Sequence, residues 1–117
     1  MSRLPEHLQP HFHEPRHVGP PEGGYDLRGE ARHPVCGDHL VVYLAVRDGL
    51  VAEAGFKAMG CPASMAIAAA ATELLHGLPA DGLSAALGAR YTDLHGDLPA
   101  AHGHALRLVE RAVDAAV

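Results

Sequence analysis

The sequence predicts an α+β domain in which strands precede helices. Three observations predict it. Residues His39–Arg47 alternate, with Leu40, Val42, Leu44 and Val46 on one face. Asp48-Gly49 follows, a dipeptide suited to a two-residue hairpin turn because both positions tolerate positive φ. After Pro62, and again towards the C-terminus, apolar residues recur at helical rather than strand spacing. At 117 residues a single domain accommodates the whole pattern.

The elements read in order as follows. Residues 1–30 contain five of the nine prolines and four of the ten histidines. Only 6–14 is suited to a short helix, and "VGPPEGGYDLRGEA" reads as an ordered loop or a mobile arm. The organised domain is expected over 31–117. Its first strand is His39–Arg47, with one buried side. Leu50–Met59 returns as the second strand, and a bend at Gly55 could lead into a third. Pro62 fits the first turn of a helix, 63–76 continues it with high Ala content, and Gly77 is a natural stop. Residues 78–90 suggest a turn and a short helix, and "YTDLHGDLP" a loop. Pro99 opens the last helix, which places Ala105, Leu108, Val109, Ala112, Val113 and Ala116 on one face.

Composition narrows the function classes. The chain is 48% hydrophobic but has only two Phe, three Tyr and no Trp, so its core must be aliphatic. A net charge of −5 without a basic run argues against nucleic acid as a partner. No secretory signal is visible, and the longest strongly apolar run, 65–71, is too short to span a bilayer. Neither nucleic acid nor a membrane is therefore an expected partner, and the expected location is cytoplasmic. There, two cysteines are metal ligands or reactive thiols more often than a structural disulfide.

Cys36 and Cys61 lie 25 residues apart, one before the predicted hairpin and one after it. A hairpin brings its ends together, so Cys36, Asp38 and Cys61 can converge. Gly37 and Gly60 let the backbone fold tightly around a small site. Cys61 also stands at the start of a helix, where backbone N–H groups and the dipole favour a thiolate. The blander reading is two buried small hydrophobes, and spacing alone leaves the two level. Two cysteines and a carboxylate make three ligands, where zinc or a cluster takes four.

Four stretches carry a resemblance: "HFHEPRHVG", "HPVCGD", "VRDGLVAEAGFKAMGCPASMAIAAAATELLHG" and "GDLPAAHGHALRLVERAV". Together they cover the chain from about residue 10 to its end, and they resemble the NifU/IscU-type iron–sulfur cluster scaffold family. The resemblance implies a three-stranded antiparallel sheet packed against helices (the SufE/NifU fold). It also implies an accessible site holding zinc or a transient [2Fe–2S] cluster. Cys36, Asp38 and Cys61 match the family's first cysteine, aspartate and second cysteine. His104 matches the histidine that precedes the third cysteine, and Ala105 stands in that cysteine's place. The candidate metal- or cluster-binding set is thus Cys36, Asp38, Cys61 and His104, supported by Gly37 and Gly60. Imidazole serves either cargo, and a hard carboxylate holds iron less firmly than thiolate does. Without the resemblance, His104 would read as a surface histidine on an amphipathic helix.

The resemblance implies a non-enzymatic scaffold or carrier whose partners are a cysteine desulfurase and apo iron–sulfur proteins. The docking stretch is altered to Leu98-Pro99-Ala100-Ala101-His102, which leaves chaperone docking doubtful, and the long insertion of SufU-type members is absent. Two alternatives stand beside it: a degenerate zinc-binding interaction or regulatory domain of sulfur mobilisation, and a zinc-dependent sulfur acceptor. Other polar residues read more plainly. His11, His13 and His17 suit a solvated arm better than a metal cluster. His102 points away from His104, and His76 and Arg16 read as exposed. Thr72 and Glu73 support the helix, and residues 66–71 form a packing face.

Overall fold

The structure, a computed structural model, describes residues 6–14, 16–33, 37–60, 62–96 and 103–117, with His7 lacking a described side chain. The predicted hairpin is present. Strands β2 (His39–Arg47) and β3 (Leu50–Met59) pair antiparallel, from His39 opposite Met59 to Arg47 opposite Leu50. Asp48 and Gly49 have φ of 53° and 77°, the two positive values that a primed turn between twisted strands needs. Leu40, Val42 and Leu44 face the helices as the alternation requires. Val41 and Tyr43, each 6% exposed, are buried as well, so β2 has two covered faces rather than one. It is the central strand, and the Tyr25 ring lies 4.9 Å from that of Tyr43 on the second face.

The third strand lies upstream, not beyond Gly55. Strand β1 (Leu27–Arg32) pairs antiparallel with β2, from Leu27 opposite Leu44 to Arg32 opposite His39, giving the order β1-β2-β3. β3 runs through Gly55 without a break. β1 also crosses the division drawn between residues 30 and 31. Its core-facing positions are Leu27, Gly29 and Ala31, too small a set to register as an apolar alternation. Smallness is what the packing demands. The last helix passes so close that a Cβ on Gly29 would overlap the Ala112 carbonyl oxygen.

The chain before β1 is docked on the domain. A 3-10 turn (Glu6–Leu8) leads into α1 (Gln9–His13), and Leu8 is fully buried in the core. Val18 bridges Phe56 along the outer edge of β3: the Gly19 N–H donates to the Phe56 carbonyl at 2.7 Å, and the Phe56 N–H to the His17 carbonyl at 2.9 Å. α2 (Pro62–Leu75) starts at Pro62 as predicted and is apolar all round. Residues 66–71 are all buried between β3 and the other three α-helices. α3 (Leu83–His95) runs past Tyr91, where a loop was expected. Leu83, Leu87 and Tyr91 recur every fourth residue, share one face and are at most 1% exposed. α4 (Gly103–Ala116) buries the six residues expected of it against β1 and β2, and its predicted opening at Pro99 lies outside the described residues. No helix among the described residues is long and apolar enough to cross a membrane.

Candidate metal-binding site

The open end of the hairpin builds the site. Beyond the last ladder pair, His39 opposite Met59, stand Asp38 and Gly60. The two are in contact: a Cβ on Gly60 would overlap Asp38 Oδ1. Two backbone hydrogen bonds close the turn before β2. The His33 N–H donates to the Asp38 carbonyl at 2.7 Å, and the Gly37 N–H to the His33 carbonyl at 3.0 Å. Gly37 takes a φ of 75° there, which a side chain would strain. Cys36 and Cys61 lie outside the described residues. Their described neighbours Gly37, Asp38 and Gly60 meet at this end of the sheet.

Asp38 is 5% exposed, and a buried carboxylate needs partners. The first turn of α2 supplies one: Ser64 Oγ donates to Asp38 Oδ2 at 2.5 Å. The first turn of α4 supplies another, His104 Nε2, 3.7 Å from the same oxygen. The contact places His104 beside Asp38 at the hairpin end. Ala105 is 2% exposed and lines a cavity of about 10 Å³ with Asp38, Ser64 and Ala68. A side chain at position 105 therefore projects beside Asp38, towards the interior. A carboxylate and an imidazole so arranged suit a divalent metal or an iron of a cluster. Among the described residues alone, no group of three metal-ligating side chains forms.

Two residues were not singled out from sequence. For Ser64 a readable signal exists: a hydroxyl in the first turn of an alanine-rich helix, three residues past a cysteine. His33 opens "HPVCGD", and its ring lies 5.3 Å from that of His104. The other histidines are mostly engaged. His76, expected to be exposed, is half-buried: its Nε2 accepts from the Ala54 N–H at 3.3 Å and its ring lies 4.6 Å from that of His17. Burial first, and then the His76 charge, lower the pKa of His17. His11 Nδ1 is 3.7 Å from Glu73 Oε2, which ties α1 to α2. His13 and Arg16 are exposed, Thr72 Oγ1 donates to the Ala68 carbonyl at 2.7 Å, and His102 lies outside the described residues.

Comparison with known proteins agrees with this architecture. Residues 5–117 match the family model of the NifU-like N-terminal domain. The iron–sulfur cluster assembly scaffold protein IscU 1 of Archaeoglobus fulgidus is 39% identical over 67 residues, 57% of this chain and 43% of that protein. The chain thus aligns with less than half of that relative. The corresponding protein of Escherichia coli is 30% identical over 112 residues, 92% of this chain and 85% of its own length. Among solved structures, the N-terminal part of a nitrogen-fixing NifU-like protein from Brucella abortus superposes with a TM-score of 0.63 at 23% identity, covering 94% of this chain and 77% of that one. Sheet order, hairpin-end site and a match over nearly the full length lead to one conclusion: the chain belongs to the family of NifU-like N-terminal domains.

Proposed function

We propose that the chain is a scaffold or carrier in iron–sulfur cluster assembly. It receives iron and sulfide, holds a transient [2Fe–2S] cluster through Cys36, Asp38, Cys61 and His104, and passes it on. It has no turnover chemistry of its own, acts in the cytoplasm, and takes sulfur from a cysteine desulfurase for delivery to apo iron–sulfur proteins. The observation that carries this reading is the contact of His104 Nε2 with Asp38 Oδ2 at 3.7 Å, which joins the last helix to the hairpin end where the cysteines' neighbours meet. The names of the relatives, scaffold proteins of cluster assembly, support it.

Asp38 sets how firmly the cargo is held. Its carboxylate is a hard donor for iron, and Ser64 and His104 both claim Oδ2. Such a ligand releases its iron more readily than thiolate would, which suits a temporary holder. Replacing Asp38 by Ala is expected to lengthen the life of a reconstituted cluster and slow its transfer to an apo-ferredoxin, timed by absorbance. Faster loss from the Asp38→Ala protein would count against the labile-ligand role.

One observation favours a second reading. Ala105, where the family has a cysteine, is 2% exposed and offers no sulfur. A zinc-stabilised domain that binds or regulates a desulfurase without building clusters would need no thiol there. Iron and sulfide content separates the two.

A further inference from the structure

The outer edge of β3 is covered by two separate segments with a histidine between them. Near the hairpin turn the 77–80 segment covers it. The Val51 N–H donates to the Leu78 carbonyl, and the Gly77 N–H to the Val51 carbonyl, each at 2.8 Å. Further along, the 17–19 segment takes over through the Phe56 N–H to His17 carbonyl and Gly19 N–H to Phe56 carbonyl bonds. Between the two, the Ala54 N–H donates to a side chain, His76 Nε2, at 3.3 Å. His76 Nδ1 lies 3.2 Å from the Glu73 carbonyl oxygen. A carbonyl only accepts and an amide N–H only donates. These partners therefore fix one neutral tautomer, with the proton on Nδ1 and Nε2 bare. The ring of His17 lies 4.6 Å from that of His76, and its backbone has a φ of 62°, a strained value for a residue with a side chain. A cavity of about 510 Å³, lined in part by His17, Glu22, Glu53, Ala54 and His76, opens both rings to protons from solvent.

We propose that His17 and His76 form a proton-operated latch: with both rings neutral the 17–19 segment lies along β3, and on protonation it releases and uncovers the strand edge at Ala54 and Phe56. The latch is independent of what the hairpin end binds. A protonated imidazole carries N–H groups at both nitrogens and accepts at neither. His76 then turns a donor towards the Ala54 N–H, and that hydrogen bond is lost. Two charged rings 4.6 Å apart also repel. Partial burial, and then the His76 charge, lower the pKa of His17 from 6.5. Well above pH 6.5 His17 is neutral whether attached or released. Below it the released segment takes up its proton first, so attachment weakens as pH falls. The Arg16 charge adds to the repulsion, whereas Glu73 of α2 and Glu53 of β3 oppose it and count for less than burial and the His76 charge. Glu73 is also engaged with His11, and Glu22 lines the cavity from the arm. Arg90 of α3 donates to the His76 carbonyl at 3.4 Å and holds that residue's backbone, so the 17–19 segment is the part that moves. An uncovered edge presents backbone donors and acceptors to any strand that can pair with it.

The test is amide hydrogen exchange of the full chain, read by NMR at about pH 7.5 and about pH 5.5, either side of the histidine range. Rates are expressed as protection factors, so that the intrinsic pH dependence of exchange divides out. Protection at Gly19, Ala54 and Phe56 is expected to fall about tenfold at the lower pH, the factor that one pKa unit of linkage supplies. Val51, held by the Leu78 carbonyl, and Val42 in the central strand keep theirs. The variant His17→Asn/His76→Gln removes both titrating rings. Asn tolerates positive φ, and the Gln side-chain oxygen accepts from an N–H as Nε2 does. Its protection is expected to stay level across the same range. Equal protection at the two pH values in the natural protein overturns the proposal, and so does a loss that the double variant reproduces in full. A loss shared by Val51 and Val42 is global unfolding rather than release of one segment, and overturns it as well. The comparison within the natural protein decides the matter even where the double variant folds poorly.

Discussion

Ser64 is a single hydroxyl on which the Asp38 carboxylate depends. Its Oγ donates to Asp38 Oδ2 at 2.5 Å, and groups that orient a ligand are typically worth about 10–100-fold in metal affinity. Ser64→Ala is expected to weaken zinc binding by about that factor, measured by competition with a chromophoric chelator. Unchanged affinity would show that the hydroxyl does not act through Asp38. Gly60 makes the complementary case. A Cβ there would overlap Asp38 Oδ1, and overpacking costs about 1–3 kcal/mol. Gly60→Ala should therefore lower both the melting temperature and the metal affinity, whereas Gly49→Ala, away from the site, should lower only the first. Asp38, His104, Gly37 and Gly60 were legible at this scale because a motif names them. Ser64 and His33 were not, because a hydroxyl or an imidazole declares its role only once its partner is placed.

Elements were legible where side chains repeat and obscure where packing rests on small residues. The hairpin, α2 and the buried face of α4 follow from spacing. β1 was missed because its inward face is Leu27, Gly29 and Ala31, chosen to let α4 come close. α3 was cut short because "YTDLHGDLP" looks polar, although Tyr91 continues the face of Leu83 and Leu87. Tyr91 is wholly buried and its hydroxyl has no hydrogen-bond partner among the described residues. Burial pushes that hydroxyl up to about 12 from 10.0. Below pH 10 both states keep the proton. Between about pH 10 and 12 the unfolded chain loses it while the folded chain holds it, so stability falls as pH rises. Tyr91→Phe should leave stability near neutral pH within about 1 kcal/mol and flatten the loss over that alkaline window, read from urea unfolding at pH 8 and pH 11. A large loss at pH 8 would mean the hydroxyl is satisfied after all. On α4, Ala105→Cys is expected to raise cluster yield in reconstitution, since a thiolate beside Asp38 binds iron better than imidazole does. Its 2% exposure also predicts slow reaction with bulky alkylating reagents before metal is added.

The whole molecule brings three distant stretches to one point: the turn before β2, the start of α2 and the start of α4. The hairpin's two ends could be joined from sequence by topology alone. The approach of α4 could not, because it depends on how that helix seats on Gly29 and the sheet; only the family pattern placed His104 there. The grouping of His33, His104, Arg107 and Arg111 around one groove beside the site was invisible for the same reason. Arg107 and Arg111 form no run, and His33 joins them from 74 positions before Arg107. What this assembly holds decides between a scaffold and a zinc domain. The most direct measurement is iron, zinc and acid-labile sulfide analysis of anaerobically purified protein after reconstitution with iron and a desulfurase. A scaffold contains iron and sulfide in equal amounts, with cluster absorption in the visible range that is lost in Cys36→Ser and Cys61→Ser. One zinc per chain, with no iron or sulfide taken up, would contradict it.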